Sequence, residues 1–229
     1  LVIKTLTGLP FSFTGHAHDI QVRHDGLGDK IAEGEFFFCC TQTSRDLLRN
    51  LYGEVVDEKC NVVYHGVEID QFTFQEPNPD DGDRPLRIVV VASFEECKGH
   101  TYLIEACRQL RERGIATEVA LVGGDLPNGE GFKDRLVAQI AAADLVDTFN
   151  FTGKLPSTGV REWITWADIG CLPCCIAPGG HEDGLPNFLT ECLAMGRPVV
   201  GTTRPGTMEL VTDGAEGLLA RPRDASSLA

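Results

Sequence analysis

The sequence predicts an α/β protein built from parallel sheets with helices wound on both faces, arranged as two domains. Two observations predict it. Short β-rich apolar runs alternate along the chain with amphipathic helical segments, the rhythm of strands joined by helical crossovers. That rhythm is interrupted once, at 75–85, by Gln-Glu-Pro-Asn-Pro-Asp-Asp-Gly-Asp-Arg-Pro, a polar, proline-rich and acidic tract that cannot contribute to a core. The expected organisation is therefore a first domain at 1–74, a linker at 75–85 and a second domain at 86–229.

In the first domain, strands are expected at 11–14, 35–41 and 61–65, with helices near 29–33 and 44–52. Ser44 is a suitable cap before the Leu47, Leu48 and Leu51 stripe. In the second, strands are expected at 86–92, 117–122, 148–152, 168–172, 198–202 and 216–220. Helices should fill 99–113, 131–143, 159–166, 186–195 and 206–211. Six strands with crossovers form a doubly wound sheet whose ligand lies beyond the carboxyl ends of the strands.

Composition narrows the function classes. A formal charge of −14, from 34 acidic against 20 basic residues, opposes the broad positive field that nucleic acid or anionic lipid requires. Nine cysteines, odd in number and mostly in apolar segments, suit reduced thiols in the cytoplasm better than a secreted disulfide framework. No apolar run reaches the length of a spanning helix. The chain begins at Leu1 without an initiator Met and stops at Ser227-Leu228-Ala229 where a helix is starting, so both ends are expected to be truncated.

The segment with the most chemistry is Asp183-Gly184-Leu185-Pro186-Asn187-Phe188-Leu189-Thr190-Glu191. Gly184 permits close backbone approach, Pro186 suits a first helical turn, and the unbonded amides of that turn form a partly positive seat for a diphosphate. Two acids eight residues apart on one helix would face a single ligand. Gly123 and Gly124, at a strand end, read either as a close approach to that ligand or as an ordinary turn. Cys171-x-x-Cys174-Cys175 has no second ligand pair at zinc-finger spacing, and no metal site or cofactor is expected. A dinucleotide oxidoreductase is disfavoured because no Gly-x-Gly-x-x-Gly turn opens a helix after a strand.

With that motif in hand, the chain resembles the family-four retaining glycosyltransferases, whose signature is Glu, seven residues, Glu, with Gly-x-Pro inside it. Further matches follow in order: Ser12 to Ile20 around Gly15-His16-Ala17, His65-Gly66-Val67-Glu68 with Phe72, Lys98-Gly99-His100, Leu121-Val122-Gly123-Gly124, Ala167-Asp168, and Gly206-x-x-Glu209 with Asp213-Gly214. The resemblance implies the GT-B fold, two Rossmann-like domains with the first incomplete, and transfer of a sugar from a nucleoside-diphosphate sugar to a hydroxyl acceptor. It assigns Lys98 to the diphosphate, Asp183 and His16 to the transferred sugar, and Glu191 to the ribose. Gly123, Gly184, Leu185, Pro186 and Asn187 would line the donor. It leaves room for peripheral membrane contact through the part upstream of Leu1.

Two positions depart from the family pattern. Asp183 stands where the family has Glu, one methylene shorter. Ser93 stands where a diphosphate-binding arginine is usual, exchanging a charged fork for one neutral hydrogen bond. That exchange motivates a second reading, a catalytically weak nucleotide-sugar-binding partner subunit.

Overall fold

The computed structural model describes residues 1–21, 24–79, 82, 84–127 and 131–229. Contacts group the chain into two compact units, Leu1–Gly66 with Ile176–Leu185, and Val67–Cys175 with Pro186–Ala229.

The first unit runs α1 (Val2–Thr7), β1 (Phe13–Gly15), α2 (Ala17–Gln21), α3 (Leu27–Glu33), β2 (Phe37–Cys39), α4 (Gln42–Tyr52), α5 (Val55–Lys59) and β3 (Cys60–Val62). Its three strands form a parallel sheet in the order β1-β2-β3, with Phe37 opposite both Phe13 and Cys60. Ile20, Leu27, Ile31, Phe37, Leu48 and Val56 make its core. The cap of α4 is Thr41, whose hydroxyl accepts the Ser44 amide at 3.0 Å, so the helix begins two residues before the predicted Ser44. Of the predicted leucine stripe, Leu48 is buried while Leu51 is half exposed. Asp57 on α5 ties down α4 by pairing with Arg45 at 3.0 Å and Arg49 at 2.5 Å. Lys59 donates to the carbonyls of Ile31, Ala32 and Gly34 at 3.2, 2.6 and 2.9 Å. It thereby satisfies the carbonyl end of α3, where a cation also opposes the helix dipole.

The second unit continues with β4 (Leu86–Val91), a short 3-10 turn (Glu96–Lys98), α6 (His100–Glu112), β5 (Thr117–Val122), α7 (Phe132–Ala142), β6 (Phe149–Gly153) and α8 (Ser157–Trp166). It closes with β7 (Ile169–Cys171), α9 (Asn187–Ala194), β8 (Val199–Thr202), α10 (Pro205–Met208), β9 (Gly217–Ala220) and α11 (Ala225–Leu228). All six strands are parallel, in the order β6-β5-β4-β7-β8-β9. This is the doubly wound order, which reverses direction between β4 and β7. The central strands read as unbroken apolar runs because helices cover both faces: Ile88, Val89 and Val90 on β4 and Val119 to Val122 on β5 are all buried. Helix α6 adds Leu103, Ile104, Ala106 and Cys107 at helical spacing. Trp163 and Trp166, with ring centroids 5.0 Å apart and edge to face, pack on this core.

The predicted division at residue 74 falls eight residues beyond the contact boundary at Gly66. Residues 67–79 are held to the second unit by polar staples. Buried Arg197 donates to the carbonyls of Gln75 and Glu76 at 3.2 and 3.0 Å, and to those of Ile164 and Thr165 at 3.2 and 3.0 Å. Asn78 donates to the carbonyls of Thr165, Trp166 and Ala167. Arg84 grips both oxygens of Asp168 at 2.6 and 2.7 Å, and the Arg87 amide donates to the same carboxylate at 2.9 Å. Asp80, Asp81 and Asp83 of the predicted linker lie outside the described residues. Among the described residues no helix is long and apolar enough to cross a membrane.

Burial works to raise the Asp168 pKa, but the Arg84 and Arg87 hydrogen bonds outweigh it and hold the carboxyl below its ordinary range. A depressed carboxylate stabilises the fold above its unfolded pKa and loses that contribution as pH falls through the folded one. Asp168→Asn is therefore expected to cost about 2 kcal/mol at pH 7. In urea titrations the difference from wild type should shrink toward zero as the acid range is entered; a penalty independent of pH would refute the charge-based account.

Two backbone approaches set the carboxyl edge of this sheet. Gly99 has φ of +71°, and a Cβ there would stand 1.9 Å from the Pro173 carbonyl oxygen. Gly123 has φ of +154°, and its Cβ would stand 1.8 Å from the Ala92 carbonyl oxygen. Gly99→Ala is expected to cost about 3 kcal/mol or more in urea unfolding, because strain adds to a backbone clash. Gly114→Ala, at φ +80° with open space around it, should cost only about 1–2 kcal/mol. Equal costs at the two positions would show that the approach to Pro173 is not a constraint.

Candidate functional site

In an open doubly wound sheet the ligand crevice forms beyond the carboxyl ends of the two strands where the order reverses, here β4 and β7. The segment leaving β4 runs Ala92 to Gly99. Phe94 is buried, packed edge-on against His100 and Phe151 at 5.4 and 5.6 Å. Its amide donates to the Gly124 carbonyl at 3.0 Å. The next turn carries Lys98, whose amide donates to the Glu95 carbonyl at 3.3 Å. The segment leaving β7 meets it: the Cys175 amide donates to the Cys97 carbonyl at 2.8 Å, and Gly99 lies against Pro173. Thr202, at the end of β8, donates its hydroxyl to the Cys174 carbonyl at 2.6 Å. Lys98 thus emerges where the β4, β7 and β8 ends are laced together by hydrogen bonds to main-chain carbonyls.

Pro186 caps α9 and Asn187 opens it, one residue after the predicted start. Phe188, Leu189 and Cys192 turn inward against the sheet. Glu191 lies beside this buried face, half-buried, and none of the described side chains pairs with its carboxylate. Burial alone pushes its pKa up. The expectation that Asp183 and Glu191 share one helix is corrected: α9 begins only at Asn187, because Pro186 has extended backbone at the cap, so Asp183 stands on the loop before it.

The second unit therefore carries Lys98, Gly123, Pro186, Asn187 and Glu191. Glycine at 123 is required by the Ala92 carbonyl, whatever else it does. Ser93 donates its hydroxyl to the Glu95 carboxylate. His100 is a residue to which the sequence assigned no role. Burial and then the Lys98 charge lower its pKa to about 3, so it is neutral, and neither ring nitrogen has a hydrogen-bond partner among the described residues. Its position next to Lys98 at a helix start was the available signal.

His16, Asp183, Gly184 and Leu185 belong to the first unit. His16 follows β1, and its amide donates to the Asp19 carboxylate at 3.2 Å while its carbonyl accepts the Ile20 amide at 3.0 Å. Asp19 thus orients the turn. The His16 ring lies 5.4 Å from that of His65, which follows β3, a contact the sequence did not disclose. The Ile176–Leu185 loop folds back on the same region. Its Gly184 faces Ala17 and Cys40, its His181 ring stands 5.8 Å from His18, and its Glu182 amide donates to the Gln21 side chain at 3.4 Å. Within this unit the structure brings Gly184, next to Asp183, up to Ala17, next to His16.

A cavity of about 680 Å³ opens instead at the amino ends of the second unit's strands, lined by Asn78, Arg84, Asp168 and Arg197 among others. These polar groups are already engaged with each other and with backbone carbonyls, which makes it an anchoring region rather than the ligand crevice.

Glu191 has a raised pKa, so its ionisation at neutral pH opposes folding, and the opposition disappears below the unfolded carboxyl range. Glu191→Gln is expected to raise stability by about 0.5–2 kcal/mol at pH 7 in the unliganded protein. No gain should remain in acid; a loss of stability at pH 7 would mean that the carboxylate is structurally engaged.

The family model described as Glycosyl transferases group 1 matches residues 85–229. Among curated relatives, the amylovoran biosynthesis glycosyltransferase AmsK of Erwinia amylovora is 36% identical over 173 residues, covering 75% of this chain and 40% of that protein. The putative colanic acid biosynthesis glycosyltransferase WcaL of Escherichia coli K12 is 35% identical over 173 residues, covering 75% of this chain and 41% of its own. The chain thus spans about two fifths of the length of these relatives. Among solved structures, HepE of Anabaena, crystallised with UDP and glucose, aligns with a TM-score of 0.80 at 21% identity, covering 100% of this chain and 62% of that one. A glycosyltransferase from Rickettsia africae aligns with a TM-score of 0.80 at 19% identity, covering 99% and 60%. These two structures establish likeness of fold.

Proposed function

The chain belongs to the glycosyl transferases group 1 family, and from that premise we propose that it carries the donor-binding half of a retaining glycosyltransferase. The donor is a nucleoside-diphosphate sugar and the acceptor a hydroxyl group, in polysaccharide or glycoconjugate assembly in the cytoplasm. The observation that carries this reading is the reversal point between β4 and β7, where Lys98 and helix α9 with its half-buried Glu191 leave adjacent strand ends. The likeness to the amylovoran and colanic acid glycosyltransferases AmsK and WcaL supports the pathway class, and the UDP and glucose held by HepE support the donor class.

In this reading the diphosphate lies between the Lys98 ammonium and the first turn of α9. There a fixed charge and a helix terminus stabilise the negative charge that grows as the nucleotide departs. Glu191 accepts hydrogen bonds from the two ribose hydroxyls, which supply the stabilisation that burial withholds from its carboxylate. The family resemblance assigns hydroxyls of the transferred sugar to Asp183 and His16, and backbone along the donor to Gly184 and Leu185. The anomeric carbon acquires oxocarbenium character as the bond to the phosphate oxygen breaks, and the acceptor enters on the same face. No side chain is assigned as a covalent nucleophile.

Calorimetric titration of residues 1–229 with UDP-glucose and GDP-mannose tests the donor assignment. At least one nucleotide sugar should bind. Lys98→Ala and Glu191→Ala should each weaken it by roughly tenfold or more, as expected for a lost charge-assisted contact. Lys30→Ala, on the exposed side of α3, should leave it unchanged. Binding that ignores both substitutions, or no binding by any nucleotide sugar, would refute the assignment.

A further inference from the structure

The first unit holds three cysteines that the proposed transfer does not use, Cys39, Cys40 and Cys60, and two of them meet. Cys39 ends β2 and Cys60 begins β3, and the parallel register sets Phe37 opposite Cys60 and Cys39 opposite Val62. Side chains two apart on a strand share a face, so Cys39 and Cys60 are diagonal neighbours on bonded strands. Their sulfur atoms are 3.5 Å apart and both residues are buried. A disulfide needs about 2.05 Å between sulfurs, so a movement of roughly 1.5 Å closes the gap.

The surroundings differentiate the two sulfurs. The hydrogen bond from Cys39 lowers the Cys60 pKa, and the Arg45 charge adds to this against the effects of burial and Asp57. The same hydrogen bond, with burial and the Cys60 charge, raises that of Cys39. Cys39 is also placed to donate to the Thr41 carbonyl at 3.4 Å. Cys60 is thus the thiolate-forming member and Cys39 the resolving one. In a reducing compartment, disulfides of this kind are transient and redox-responsive.

We propose that Cys39 and Cys60 form a reversible redox site that a small hydroperoxide closes to a disulfide. The Cys60 thiolate attacks the terminal peroxide oxygen and breaks the O–O bond, giving a sulfenic acid and an alkoxide, or hydroxide when the oxidant is hydrogen peroxide, which is then protonated to the alcohol or water. The Cys39 sulfur attacks the sulfenic sulfur, and the Cys39 proton leaves with the sulfenic hydroxyl as water. The two sulfurs together lose two electrons, and the peroxide gains them. The bond ties β2 to β3 across the intervening α4 and α5, so the oxidised protein should unfold several degrees higher than the reduced one.

The test treats residues 1–229 with stoichiometric hydrogen peroxide, blocks remaining thiols under denaturing conditions and maps the peptides by mass. A linked pair joining Cys39 to Cys60, lighter by two hydrogens and reversed by dithiothreitol, is expected. Fragmentation distinguishes Cys39 from Cys40. In Cys39→Ser the sulfenic acid at Cys60 should persist and be trapped by dimedone, whereas Cys60→Ser should yield neither product. Peptide mapping of the unmutated chain decides the matter even if a variant fails to fold. Both thiols found blocked and unlinked while other cysteines oxidise, or linkage of either to a different cysteine, would overturn the site.

Discussion

The second unit depends on a close approach of backbone to backbone at the carboxyl edge of its sheet. Where Gly99 meets the Pro173 carbonyl and Gly123 meets the Ala92 carbonyl, a single methyl group would stand under 2 Å from an oxygen. Because neither position carries one, the loops above β4, β5 and β7 can exchange main-chain hydrogen bonds, including Cys175 to Cys97 and Phe94 to Gly124. Lys98 is carried on the turn that these bonds immobilise. The turn that bears the charge proposed to meet a diphosphate is therefore positioned by main-chain packing.

Polar groups at the opposite edge perform a different task. Arg197 is buried, and its guanidinium is satisfied by four carbonyls from two separate stretches of chain. Arg84 and Asp168 form a two-pronged pair that also takes in the Arg87 amide. Left unpaired, such groups would cost several kcal/mol; paired, they specify which segment lies there. This is how a proline-rich, acidic stretch with no apolar side chains to bury is nevertheless held against a domain.

Glu191 and His100 illustrate two outcomes of burial for titratable groups in the second unit. His100, with its pKa lowered to about 3, gives up its charge and packs as an aromatic between Phe94 and Phe132. Glu191 is only half-buried, so its carboxyl keeps access to solvent while paying for desolvation. A half-buried acid whose pKa is raised by burial alone is destabilising in isolation, and in the proposed reading ribose hydroxyls would relieve that cost.

The order of strands and helices in the second unit was legible from sequence, because a doubly covered parallel sheet demands uninterrupted apolar runs such as Ile88 to Val91 and helices with apolar spacing such as Leu103 to Cys107. The loop residues carrying the motif were legible for the same reason, since Gly184 and Pro186 mark a strand-to-helix passage. The cap of α4 at Thr41, the boundary at Gly66, the absence of Asp183 from α9 and the pairing of His16 with His65 were not. Each depends on which groups become neighbours after the chain has folded back over long separations, and local propensity is blind to that. The sequence by itself determined the element types and the residues available for chemistry. Tertiary structure decided how burial and backbone contact would set their charge, their partners and their place.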